Sequence, residues 1–454
     1  MKKIPEAFNN RMKQLLSDNY DSFIEALSAE PIKGFRVNTD KISLAEFEKI
    51  NIFGKEKIPY VENGYYLNYE KAGNHPYHHA GMIYIQEPAA MAPAECIDID
   101  PQWKILDMCA APGGKSTQLK NKLGESGLLV SNEIISSRCK ILTGNIERLG
   151  LKNTVTTCMD TNKLIRHFPA FFDLIMCDAP CSGEGMFRKD DTAIEEWSEE
   201  NVRMCAERQA EILENAVQLL KNGGYIIYAT CTFSLEENEM LIDSFLQQHK
   251  DFELIDVNER IKPYTMPGIF FEGCQTENIS FTRRFYPHTA KGEGQFMAVL
   301  HNTSAYAENC SSSIKSVKID KTITDFLDDT LIAYDKSCVT LYNGNPVYLT
   351  PVTEFAKGTA FSCGVTIGEI KKNYILPHHQ FFSAMGKCFR RKIDLKADSS
   401  DILRYLHGEE IDVDCENGWA VITVEGCPIG GIKVSNGKAK NHYPKGLRLK
   451  NITW

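Results

Sequence analysis

Residues 104–116, KILDMCAAPGGKS, decide the fold. Residues 104–108 read as a buried strand and CAAPGG as a turn, with a helix beginning near Lys115. Gly113 and Gly114 lack side chains, so the backbone at this helix start can approach a ligand closely. The spacing matches neither G-x-G-x-x-G nor a phosphate-gripping P-loop. Outward from this turn the pattern repeats. Residues 127–133 (GLLVSNE) read as a second strand, Ser136–Leu149 as a helix, 155–160 as a third strand and Phe172–Asp178 as a fourth. Residues 201–221 carry apolar side chains at helical spacing and are expected to stop at Gly223 and Gly224, with a fifth strand over 225–231. Residues 252–257 and 296–300 offer two more strands for an antiparallel edge. This alternation predicts an α/β, doubly wound, Rossmann-like sheet with helices on both faces.

The chain of 454 residues leaves room for about three domains. Residues 1–95 mix a helix with short strand-like pieces (GFRVNT, GYYLNY), an N-terminal α+β extension to a catalytic core over 96–302. Residues 307–316, AENCSSSIKS, read as a linker, followed by a middle domain over 315–385. A glycine-punctuated, β-rich domain is expected over 390–454. The most apolar runs, such as 225–229, are strand-sized, and the N-terminus has no apolar stretch of signal-peptide length. A cytoplasmic protein, away from membranes, is expected. The 15 cysteines are odd in number, scattered, and never spaced C-x-x-C, which argues against a disulfide scaffold and a structural zinc. The run HPYHH (75–79) has no cysteine or acidic cluster beside it, so no metal site is expected. The formal net charge is −9, yet residues 371–454 hold 14 Lys and Arg against 9 Asp and Glu, leaving 37 against 51 elsewhere. A basic end on an acidic body is compatible with RNA binding.

Two acids extend the glycine loop. Glu133 ends the second strand, where a carboxylate can accept hydrogen bonds from both ribose hydroxyls, and Asp160 ends the third, where one can receive an adenine amino group. Together with the loop they favour an adenosine-containing cofactor. DAPCSGEGMFRKD (178–190) follows the fourth strand and ATCTF (229–233) ends the fifth, so Asp178, Cys181 and Cys231 should converge on one cleft. That trio suits cytosine carbon 5. A thiolate adding to carbon 6 makes the ring an enamine able to take a methyl group, an acid such as Asp178 serves the ring nitrogen, and a second thiol takes part in release.

At DMCAAPGGKS, NE (132–133), MD (159–160), DAPCSGEG and TCTFSLEENE, the sequence resembles the Nol/Nop/Sun family of RNA cytosine-5 methyltransferases. The resemblance implies a class I methyltransferase core using S-adenosylmethionine. Cys109, Ala110, Ala111, Pro112, Gly113, Gly114, Lys115, Glu133, Asp160 and Asp178 would line the cofactor site. Cys231 would be the nucleophile, and Cys181 would assist release. HPYHHAGMIYIQEPAAM, RRFYPHTAKGEGQF and KAKNHYPKGLR look like the bacterial RsmF branch, which modifies 16S ribosomal RNA in the small subunit and ends in a PUA-like RNA-binding domain. RNA contacts are then expected from Lys440, His442, Tyr443 and Lys445, with no obligate protein partner evident. Gly431 departs from the branch, where an aromatic is common. A transfer-RNA cytosine methyltransferase and a non-catalytic ribosome-assembly factor are the competing readings.

Overall fold

A computed structural model describes residues 4–305, 319–349 and 359–450; the expected linker at 307–316 lies outside them. The central sheet contains five parallel strands: β1 (Lys104–Asp107), β2 (Leu128–Asn132), β3 (Thr154–Thr157), β4 (Phe172–Asp178) and β5 (Leu220–Thr230), in the order β3-β2-β1-β4-β5. The strands are continuously apolar because both faces are covered. Leu106, Val130, Ile175 and Tyr228 enter one core, while Ile105, Leu129, Met176 and Ile227 enter the other. β6 (Phe252–Ile255) pairs antiparallel with β7 (Gln295–Asn302), which pairs antiparallel with β5, giving the expected edge. Strand order reverses between β1 and β4, so the sheet opens a crevice at their carboxyl ends.

Among the helices that flank this sheet are α1 (Gly114–Lys122), α2 (Ser136–Leu149) and α3 (Glu199–Leu219). α2 has the expected bounds, and α1 starts one residue before Lys115. The glycine pair expected to end α3 instead lies inside β5. Ala170 and Phe171 donate to the carbonyls of Gln218 and Leu219, drawing the chain directly from helix into sheet. Pairing then jumps from Phe172↔Leu220 to Leu174↔Tyr225, and Gly223, at φ +74°, lies in the resulting bulge. β3 stops at Thr157, short of Asp160.

The flanking segments pack tightly on this core. An antiparallel sheet of Gly64–Tyr66, Gly34–Val37 and Ile83–Gln86 carries the fully buried Arg36. Its guanidinium donates to Gln86 Oε1 (3.1 Å), the Gly114 carbonyl (2.6 Å) and Thr117 Oγ1 (2.9 Å), pinning the first turn of α1. The middle segment does not stand apart, because its strand Ser362–Cys363 pairs with β3 and lengthens the central sheet. The helix His379–Met385 lies against both α2 and the terminal strand Cys427–Ser435. The terminal sheet has five strands, in the order Lys392–Leu395, Gly418–Val424, Cys427–Ser435, Lys438–Asn441 and Ile411–Asp412. A Cβ at Gly431 would sit 2.3 Å from the Phe382 ring. The space an aromatic would occupy there is already filled from the neighbouring helix.

Candidate active site

A cleft of about 440 Å³ opens at the carboxyl ends of β1, β4 and β5. Its lining includes Cys109, Ala110, Ala111, Pro112, Gly114 and Lys115 from the glycine loop, and Asp178, Cys181 and Cys231 from the two later loops. Gly113 has φ +109°, in the left-handed region, and a Cβ there would lie 3.0 Å from Leu142. A side chain at Gly114 would meet the Gln86 amide at 2.9 Å. The loop is thus fitted closely from behind and left bare in front.

Beneath the loop, Asp107 is fully buried and accepts from Ser116 Oγ at 2.5 Å, while its Oδ1 has no partner. Burial pushes its pKa up to about 7. Lys115 Nζ contacts Asp178 Oδ2 at 2.7 Å. Burial works against the ammonium, but the charge and hydrogen bond of Asp178 outweigh it and raise the Lys115 pKa. Asp178 is therefore held by a charged partner through one oxygen. Glu133 and Asp160 stand further along the carboxyl edge, outside the lining of this cleft. Glu133 accepts from the Ile135 amide (2.9 Å) and lies 3.5 Å from Arg138, and Asp160 caps the helix Thr161–Ile165 through the Asn162 amide (2.9 Å). Each has one oxygen outside its backbone hydrogen bond. Bare glycine backbone on one side and two accepting carboxylates on the other fit an adenosine, whose ribose hydroxyls and amino group donate.

The two cysteine sulfurs lie 3.2 Å apart. The hydrogen bond to Cys231, followed by burial, pushes the Cys181 thiol well above its usual range. Their loops are cross-braced. The Gly185 amide donates to the Cys231 carbonyl at 2.8 Å. Glu237 accepts from the Ser182 amide (3.0 Å), the Ser182 hydroxyl, Gln209 (2.7 Å) and Ser234 (3.0 Å). Glu184 accepts from the Phe233 amide (2.8 Å) and Trp197 (2.9 Å). Sequence reasoning missed these buried acids as supports, although both stand inside the DAPCSGEG and TCTFSLEENE stretches that it singled out.

One expected RNA contact is corrected. Tyr443 is only 2% exposed, and its hydroxyl bonds His79 Nδ1 at 3.0 Å, with His379 and Tyr405 packed around the ring. It joins the terminal sheet to HPYHH and is unavailable to a base. Of the histidines in that run, His75 is buried and His78 and His79 are half-buried, and desolvation lowers the pKa values of His78 and His79. Lys440 and Lys445 are exposed, and His442 stands edge-on to Trp419 with ring centres 4.6 Å apart.

Three family models match the chain: 16S rRNA methyltransferase RsmB/F over residues 94–301, the N-terminal domain of 16S rRNA methyltransferase RsmF over 4–88, and the methyltransferase RsmF PUA domain over 392–449. Ribosomal RNA small subunit methyltransferase F of Vibrio vulnificus (strain YJ016) is 31% identical over 481 residues, covering 99% of this chain and 98% of that one. The protein of the same name from Shewanella loihica is 28% identical, covering 98% and 96%. Among solved structures, a methyltransferase homolog from Pyrococcus horikoshii matches at a TM-score of 0.58 and 28% identity, over 66% of this chain and 95% of that one.

Proposed function

Because the chain belongs to the family of ribosomal RNA small subunit methyltransferase F, we propose that it methylates carbon 5 of a cytosine in 16S ribosomal RNA through a covalent bond to Cys231. The observation that carries this reading is the pair of cysteine sulfurs, 3.2 Å apart, in the cleft that also holds the glycine loop. S-adenosylmethionine, the cofactor of this family, supplies an electrophilic methyl group when bound. Residues 109–115, Glu133 and Asp160 would hold it.

The protein's own groups do the rest. Cys231 adds to carbon 6, and Asp178, fixed by Lys115, serves the ring nitrogen as charge builds there. Once carbon 5 carries the methyl group, its proton passes to solvent water in the open cleft, the carbon 5–carbon 6 double bond re-forms, and the bond from carbon 6 to the Cys231 sulfur breaks. The Cys181 S–H beside it stabilises the departing thiolate. The target base must be turned out of its stack to reach the cleft, which costs a few kcal/mol that the flanking segments can supply by binding RNA. A cytoplasmic location belongs to the same reading, supported by the ribosomal RNA that the relatives' name gives as their substrate; no described helix is long and apolar enough to cross a membrane.

The test is methylation by the purified protein with isotopically labelled S-adenosylmethionine, offered 16S RNA, small subunits and transfer RNA separately. Label on cytosine carbon 5 in 16S RNA or small subunits is expected. Label only in transfer RNA overturns the substrate, and label on a ring or exocyclic nitrogen overturns the chemistry. Lys440 belongs to the same reading as a phosphate contact. Lys440→Ala should weaken RNA binding uniformly across sequences and reduce the salt slope by about 1. An unchanged slope in a salt titration removes this residue from the interface.

A further inference from the structure

A second cavity, of about 560 Å³, lies away from the catalytic cleft, where the N-terminal segment, the central sheet, the middle segment and the terminal domain meet. Four lysines from separate parts of the chain line it: Lys41, Lys120, Lys152 and Lys387. None forms an ion pair among the described residues. Two of them have structural employment. Lys41 Nζ is held by the Ser383 carbonyl (2.5 Å), its hydroxyl (3.3 Å) and the Pro428 carbonyl (3.3 Å), and Lys387 reaches the Asp40 carbonyl at 3.3 Å.

The other two do not. Lys120 is only 5% exposed, yet its ammonium has a single contact at the limit of hydrogen bonding, 3.5 Å to the Leu123 carbonyl. Lys152 is half-buried and has no side-chain partner among the described residues. Burial lowers the Lys120 pKa; the attraction of Asp40 opposes it, and the repulsion from Lys152, weaker than that attraction, adds to it. The acids that line the cavity are Asp40, Glu125 and Asp335, and the Asp335 carboxylate is already engaged by Ser337. A sequestered ammonium left short of acceptors is costly unless an anion completes it.

We infer that this cavity binds a phosphate group through Lys120 and Lys152, with Lys41 and Lys387 adding positive charge around it. The phosphate could belong to an RNA backbone or to a small phosphorylated molecule. Both present the same oxygens, and the inference does not depend on the chemistry proposed at Cys231.

The test compares the full chain with a Lys120→Gln/Lys152→Gln variant, using calorimetric titration with pyrophosphate and, separately, salt-dependent binding of a 16S RNA fragment. Pyrophosphate binding that weakens at least about tenfold in the variant supports a small phosphate ligand. No pyrophosphate binding, but an RNA salt slope reduced by about 1 to 2, supports an RNA phosphate. If neither change appears, the inference is overturned. Lys152→Gln alone alters a half-buried side chain with no partner to lose, so it gives the same reading should the double variant fail to fold.

Discussion

Cys231→Ala should abolish methyl transfer, lowering turnover by about 10⁴-fold or more, because the proposed route begins with the Cys231 thiolate adding to carbon 6. Cys181→Ala should behave differently. Cys231 can still attack, but its sulfur leaves without the S–H that stood 3.2 Å away. The protein should then accumulate on RNA as an adduct that survives denaturing electrophoresis. If the adduct instead disappears in Cys181→Ala and persists in Cys231→Ala, the two roles are exchanged. If neither variant loses turnover, the covalent route itself fails.

The second large effect is on stability. Arg284 and Glu239 have side chains 2% and 0% exposed and face each other in a bidentate ion pair. The guanidinium also donates to the Phe233 carbonyl (2.8 Å) and Tyr286 (3.2 Å), and Glu239 accepts from the Ile269 amide (3.0 Å). Burial works against the Arg284 cation, but Glu239 outweighs it and raises the pKa. Arg284→Met would leave a carboxylate in the core without its cation, so urea unfolding should show a loss of about 3–5 kcal/mol. The double variant Arg284→Met/Glu239→Gln should recover part of it. By contrast, Lys57→Ala breaks an exposed pair with Glu48 and should leave the urea midpoint nearly unchanged. An equal cost for both arginine and lysine variants would contradict this ranking. The pair also bears on the site, since Phe233 is two residues beyond Cys231.

The sheet was legible because residues such as Ile105, Leu106, Leu174 and Ile175 must all be apolar when both faces are covered, a pattern that needs no tertiary knowledge. The convergence of Cys181 and Cys231 followed from β4 and β5 being neighbours. The start of β5 was hidden, because Leu220 pairs with Phe172 across a bulge that local glycine chemistry does not announce. Glu184, Glu237 and Glu239 carry no local sign of burial, because Trp197, Ser182 and Arg284 come to face them only in the fold. Tyr443 misled for a related reason. An aromatic among lysines looks the same whether it meets a base or a distant part of its own chain, and His79 lies 364 residues away.

The short strand Ser362–Cys363 has a consequence for synthesis. It seals the outer margin of β3, whose backbone groups would otherwise be open to another strand, yet it is made about 200 residues later. At roughly 5–20 residues per second, a nascent chain on the ribosome would carry that open margin for about 10–40 s. During that interval a chaperone has an exposed edge to shield, and release before residue 363 leaves the sheet able to recruit a strand from another molecule.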